Sequence, residues 1–204
     1  MDTHYPAILR EELYHADGQI DDEVYVYGSF LQSKMHRKGV TCTNCHEPHS
    51  LKLKADGNAL CATCHLSTKF DTPMHHFHKP GTQATQCVSC HMPSKNYMVV
   101  DPRRDHSFRI PRPDLSVKLG TPNACTQCHT ERTNEWAVAT TKKWYGTNRH
   151  QKTHYGEAIH AGRQGAVNAE RLLIALAKDR SQPAIARATA GSLMQGYISP
   201  VTVP

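Results

Sequence analysis

The eight cysteines of the chain fall into four copies of one short pattern. The copies are Cys42-Thr-Asn-Cys45-His46, Cys61-Ala-Thr-Cys64-His65, Cys87-Val-Ser-Cys90-His91 and Cys125-Thr-Gln-Cys128-His129. A two-residue spacer sets the thiols at the separation of the two vinyl groups of a haem. The histidine that follows falls beneath the iron as its proximal ligand. The spacing therefore predicts four covalently attached haem c groups, held by Cys42, Cys45, Cys61, Cys64, Cys87, Cys90, Cys125 and Cys128, with His46, His65, His91 and His129 on the irons.

Zinc is the competing chemistry. Cys42, Cys45, Cys61 and Cys64 alone have the spacing of a four-thiolate structural site. The histidines argue against it. With 15 histidines in 204 residues, one standing after all four pairs by accident has a probability on the order of 10⁻⁵, and a zinc ribbon does not need them. A thioredoxin-like redox role fits less well still, because that chemistry uses one C-x-x-C in a strand-to-helix setting.

The remaining histidines bear on function, because an iron with two imidazoles transfers electrons while an open sixth position binds small molecules. His49 lies three residues beyond His46, whose ring is already pinned on one side of its own haem, so His49 can serve only a different haem. The cluster His75-His76-Phe77-His78 offers three imidazoles next to Pro80-Gly81, of which at least one is expected on an iron. His106 stands among Arg103, Arg104 and Arg109, side chains suited to haem propionates, and is a further distal candidate, as is His15. His4, His150, His154 and His160 rank below these, while His36, beside Met35 just upstream of Cys42, stays open as a ligand. Met35 is either a distal ligand that raises one potential or a side chain packed on a haem edge.

On these residues the chain resembles the multihaem cytochromes related to cytochrome c nitrite reductase and the hydroxylamine oxidoreductase group, especially exported members with tetratricopeptide-like helical repeats after their haems. The resemblance is carried by Gly39-Val40-Thr41-Cys42, Cys45-His46-Glu47-Pro48-His49-Ser50, His75-His76-Phe77-His78, Cys90-His91-Met92-Pro93, Asp105-His106-Ser107-Phe108-Arg109 and Thr121-Pro122-Asn123-Ala124-Cys125. It implies distal ligation by His49, by His106 and by one histidine of the 75–78 cluster. Many members place a histidine where Met35 stands here. The catalytic C-x-x-C-K of such nitrite reductases is missing from this sequence, so the resemblance brings no enzyme with it.

The elements that must position these groups are sparse. Hydrophobic residues make up 38% and aromatics 7%, a thin supply for the core of a chain this long, so cofactors are expected to fill the interior. The expected fold is mainly α with long irregular loops, a small core organised around four haems. A tetrahaem domain over 1–130 would precede a helical C-terminal region over 131–204. Ser29 and Gly39 bracket a helix over Phe30 to Lys38. The 33 residues between His91 and Cys125 show no period. Thr130 caps a helix that runs to Tyr145 and stops at Gly146, with Trp136, Thr140 and Trp144 on one stripe. Ala166 to Lys178 and a segment from Ser181 and Pro183 form a helix pair, the unit of helical repeats.

The formal charge of +6 suggests a polyanion partner until the cofactors are counted. Eight propionates (about −8) and about +1 on each ferric core bring the whole to about +2 oxidised and about −2 reduced. No basic run with interleaved aromatics points to nucleic acid, and no stretch has the roughly 18 apolar residues of a membrane span. Thioether attachment takes place outside the cytoplasm, so an exported protein, periplasmic or at the cell surface, is expected, with a signal that preceded Met1. The expected role is electron carriage with redox proteins as partners and no substrate altered. Two other roles use the same motifs: a subunit of a conducting filament with ligands shared between copies, and a reductase of small nitrogen or sulfur oxyanions at one five-coordinate haem.

Overall fold

The computed structural model describes residues 8–150 and 152–197. Helix α1 (Val26–Phe30) and helix α2 (Lys34–Arg37) lead into the first motif, which is the single turn α3 (Cys42–Cys45). Helices α4 (Asn58–Ala62), α5 (Ser67–Phe70), α6 (Pro73–His76) and α7 (Cys87–His91) follow on short loops. Strands β1 (Ser94–Tyr97) and β2 (Asp101–Arg104) then form an antiparallel hairpin with Tyr97 opposite Asp101. Next come α8 (Pro113–Leu119), α9 (Ala124–Cys128), α10 (Asn134–Tyr145), α11 (Tyr155–Arg163), α12 (Ala169–Lys178) and α13 (Ala184–Leu193). The chain is thus mostly helical, with loops and one small two-stranded sheet.

Three local expectations need correction. The single helix over Phe30 to Lys38 is two helices, because Ser33 takes the capping role by accepting the His36 N–H at 3.0 Å, while Ser29 is buried within α1. Thr133, and not Thr130, caps α10, accepting the Trp136 N–H at 3.2 Å. The stretch after His91 is not irregular throughout, since it holds the hairpin and α8. The hairpin was hidden because its turn places Met98 and Val99 at φ +45° and +71°, a left-handed backbone that sequence patterns assign to Gly or Asn. Helix α8 did carry signals, with Pro113 in its first turn and Gly120 at φ +71° as its stop.

The apolar core joins residues distant in sequence. Leu9, Tyr14, Ala16 and Ile20 pack against Ile159 of α11, Leu173 and Leu176 of α12, and Ile185, Ala186 and Ala190 of α13. Polar contacts lock the same seam. The Leu9 N–H donates to Thr189 Oγ1 at 2.8 Å, and the Arg163 guanidinium donates to the Tyr14 and Leu9 carbonyls at 2.9 and 2.7 Å. Gly156 permits the closest approach: a Cβ there would stand 2.7 Å from the Asp17 Cα. Residues 9–20 therefore share one core with the C-terminal helices.

Between Lys34 and Ala84 the situation reverses, for no residue in that stretch is buried. Leu66 and Met74 are 68% and 86% exposed, and Leu51 and Leu53 are also open. Packed polypeptide does not hold such a segment together, and isolated single-turn helices are not stable in water. Its definite shape and its exposed apolar side chains both fit an apolar cofactor as the missing packing partner.

Candidate haem-attachment and axial-ligand sites

Each motif is a helical turn or the end of one. The N–H groups of His46, His65 and His129 each donate to the carbonyl of the first cysteine of their motif at 2.9 Å. That bond sets the two thiols on one face with the imidazole one turn along. Caps fix where the turns begin. The Thr41 N–H donates to Asn44 Oδ1 at 2.8 Å, and Asn123 Oδ1 accepts the N–H groups of Cys125 and Thr126 at 3.0 and 3.1 Å. Asn58 ties the second motif to the third, accepting the Cys87 N–H at 2.8 Å and donating to the Thr85 carbonyl at 2.9 Å.

The motifs adjoin in sequence order. Cys61 hydrogen-bonds Cys87, and Cys45 is within electrostatic reach of Cys61 and Cys64, as Cys90 is of Cys125 and Cys128. Burial, and then these neighbours, push the Cys87 and Cys125 thiols up to about 11 and raise Cys45 and Cys90 as well. All eight cysteines are free of disulfides. Among the described residues no three His, Cys, Asp or Glu side chains converge as a metal site, which is the convergence that a four-thiolate zinc centre requires.

The histidines form pairs. His46 faces His106 with ring centres 6.4 Å apart and planes at 28°. His91 faces His75 at 6.2 Å and 17°, and His129 faces His78 at 6.2 Å and 31°. A metal–imidazole bond of about 2.0 Å plus roughly 1.1 Å from nitrogen to ring centre, on both sides of one iron, gives about 6.2 Å. The three spacings match that sum.

Tautomers agree with this. The Nδ1 atoms of His46, His91 and His106 hydrogen-bond the carbonyls of Leu51, Arg109 and Arg104 at 2.8, 2.6 and 2.9 Å, and His78 Nδ1 bonds the His76 carbonyl. An Nδ1–H held by a carbonyl leaves the Nε2 lone pair for a metal. His76 is arranged differently. Its Nδ1 accepts the His78 N–H at 3.2 Å, so it braces the turn. The cluster thus brings two imidazoles to two different motifs.

Other candidates sit elsewhere. His65 meets the edge of Phe70 at 5.8 Å, and the same ring meets His75 at 5.4 Å. His49 is exposed on a turn whose Glu47 carboxylate accepts the N–H groups of His49 and Ser50 at 2.9 and 2.7 Å, and among the described residues its ring faces no motif histidine. His15 pairs with Asp21 at 3.2 Å, and burial lowers its pKa. His36 lies against Phe30 at 5.3 Å. His154 caps α11, and His160 is half-buried within it. His4 and the side chain of His150 lie outside the described residues.

Arg103 and Arg109 face protein carboxylates. Arg103 pairs with Asp101 at 2.7 Å and Glu23 at 3.4 Å. Arg109 is half-buried between Asp105 at 3.6 Å and Asp17 at 4.0 Å, donating also to Gln32 at 2.9 Å. Sequence reasoning missed the aromatic residues that support the imidazoles. Trp136 lies 4.9 Å from His129, and Phe77, Trp144 and Tyr145 gather around His75 and His78. The stripe of Trp136 and Trp144 on one helix face was their visible trace.

Paired thiols on one turn followed by a tautomer-fixed imidazole define an attachment site for haem c. The doubled CXXCH motif family matches the chain over residues 35–70, the first two motifs. No curated protein and no solved structure matches the chain. The match points to covalently bound haem c and to electron transfer, the work of multihaem c-type cytochromes.

Proposed function

We propose that the chain is a tetrahaem electron carrier, exported from the cytoplasm, that passes electrons between redox proteins without altering a substrate. The observation that carries this reading is the set of three imidazole pairs spaced by the width of one iron. His46 with His106, His91 with His75 and His129 with His78 hold the first, third and fourth haems, and His65 holds the second from its proximal side. When bound, haem supplies a one-electron ferric–ferrous couple. The protein contributes the rest. Cysteines of successive motifs adjoin, which lines up the attachment sites in sequence order, and carbonyl-bound Nδ1 atoms fix ring orientation. Phe70 meets both His65 and His75 edge-on, bridging the second and third sites with an aromatic ring.

A second reading draws on the exposure of His49. Here the sixth ligand of the second haem comes from another copy, and the chain is a subunit of a conducting filament. One experiment separates these readings and the reductase alternative. The holoprotein should weigh about 2.5 kDa more than its polypeptide, for four haems. Its ferric spectrum should be low-spin and unchanged by cyanide at every protein concentration. A high-spin signal lost on concentrating the protein, with a rise in size on gel filtration, would mean ligation between copies. A high-spin signal independent of concentration and altered by nitrite would support the reductase. A polypeptide-only mass would remove all three.

A further inference from the structure

Proximal imidazoles are tethered by two neighbouring cysteines, but distal ones have no such anchor. His75 and His78 lie in the stretch that has no buried residue, at the end of α6 and just beyond it. Between them Phe77 caps the helix at φ +56°, ψ 26°. This left-handed conformation turns the chain so that His75 faces His91 while His78 faces His129. Glycine is the residue that adopts such a cap without strain, so an aromatic ring there needs a reason.

The reason lies on α10. Trp144 stacks flat on Phe77 with ring centres 4.7 Å apart and planes at 6°, and meets His78 edge-on at 5.8 Å. Tyr145 is edge-on to Phe77 at 5.5 Å and lies 6.4 Å from His75, and its hydroxyl donates to the His75 carbonyl. The helix is itself anchored, with Ala137 and Thr141 buried and Asn134 accepting from the Asn123 side chain at 2.9 Å. One fixed helix end thus grips both distal histidines through a single wedge.

Resting on the axial pairs proposed above, we propose that Trp144 and Tyr145, acting through Phe77, are the positioning residues that keep His75 and His78 on the third and fourth haems. The test is carbon monoxide binding to the dithionite-reduced holoprotein, with haem content counted by pyridine haemochrome. Wild type should show no rapid CO uptake at these haems. The Trp144→Ala, Tyr145→Phe double variant should retain four haems yet bind up to two CO per molecule, and Trp144→Phe should restore the wild-type count. Lys142→Ala removes an exposed side chain from the same helix and should leave the count unchanged. Tyr145→Phe alone removes one hydroxyl and should speed CO uptake about threefold to tenfold, as the loss of one hydrogen bond to the ligand turn allows.

A fully loaded double variant that binds no additional CO, or a Tyr145→Phe protein with wild-type CO kinetics, would overturn the assignment. Rapid CO binding at the third and fourth haems of wild type would instead sink the axial pairs themselves.

Discussion

Lowering the pH should weaken this protein through one capping imidazole. His154 Nδ1 accepts the Gly156 N–H at 3.1 Å, and the Glu157 carboxylate accepts the His154 N–H at 3.3 Å, a reciprocal cap on α11. Burial, and then the Arg109 charge, lower its pKa from 6.5 to about 4. Between those values the unfolded chain takes up a proton that the folded chain refuses. Stability is therefore full above pH 6.5 and falls with pH until about 4. Linkage puts the loss at about 2 kcal/mol at pH 5 and about 3 kcal/mol at pH 4. Other groups titrate in this range, so the assay compares wild type with His154→Asn, whose amide oxygen can take the same N–H but does not titrate. Guanidinium unfolding of the holoprotein, followed by far-UV circular dichroism at pH 7.5 and 5.0, gives the stability gap at each pH. That gap should move by about 2 kcal/mol in favour of the variant at the lower pH. A gap that stays constant within about 0.5 kcal/mol would refute the reasoning.

Three other outcomes are expected. His106→Ala removes the ring that faces His46, so exactly one haem in four should become high-spin and bind CO, read by ferric absorption and CO titration. Arg109→Met leaves Asp17 and Asp105 buried without their cation, and denaturant midpoints should report a loss of about 3–5 kcal/mol. Gly156→Ala drives a methyl to within 2.7 Å of the Asp17 Cα, backbone that cannot swing aside, and should lower stability by about 1–3 kcal/mol in the same assay.

The sequence disclosed the attachment motifs because their chemistry is local: two thiols and an imidazole within five residues carry the whole signal. Pairing was far less legible. His75 meets His91 and His106 meets His46 across distances in the chain that no periodicity encodes, and the left-handed Phe77 that parts His75 from His78 is a residue type patterns do not place there. The helical region after the fourth motif was readable from stripes and stops such as Gly146. Its packing against residues 9–20 was not, because Leu9, Tyr14 and Ile20 form neither a helix nor a strand whose period could be seen.

The bond from Leu9 to Thr189 spans 180 positions, and it has a consequence for how the molecule is made. That seam cannot close until residue 189 is in place, so the segment between its two halves stays open until then. Thiols in an unclosed segment remain within reach of an attaching enzyme. A core that closes late would leave time for haem attachment before the structure sets.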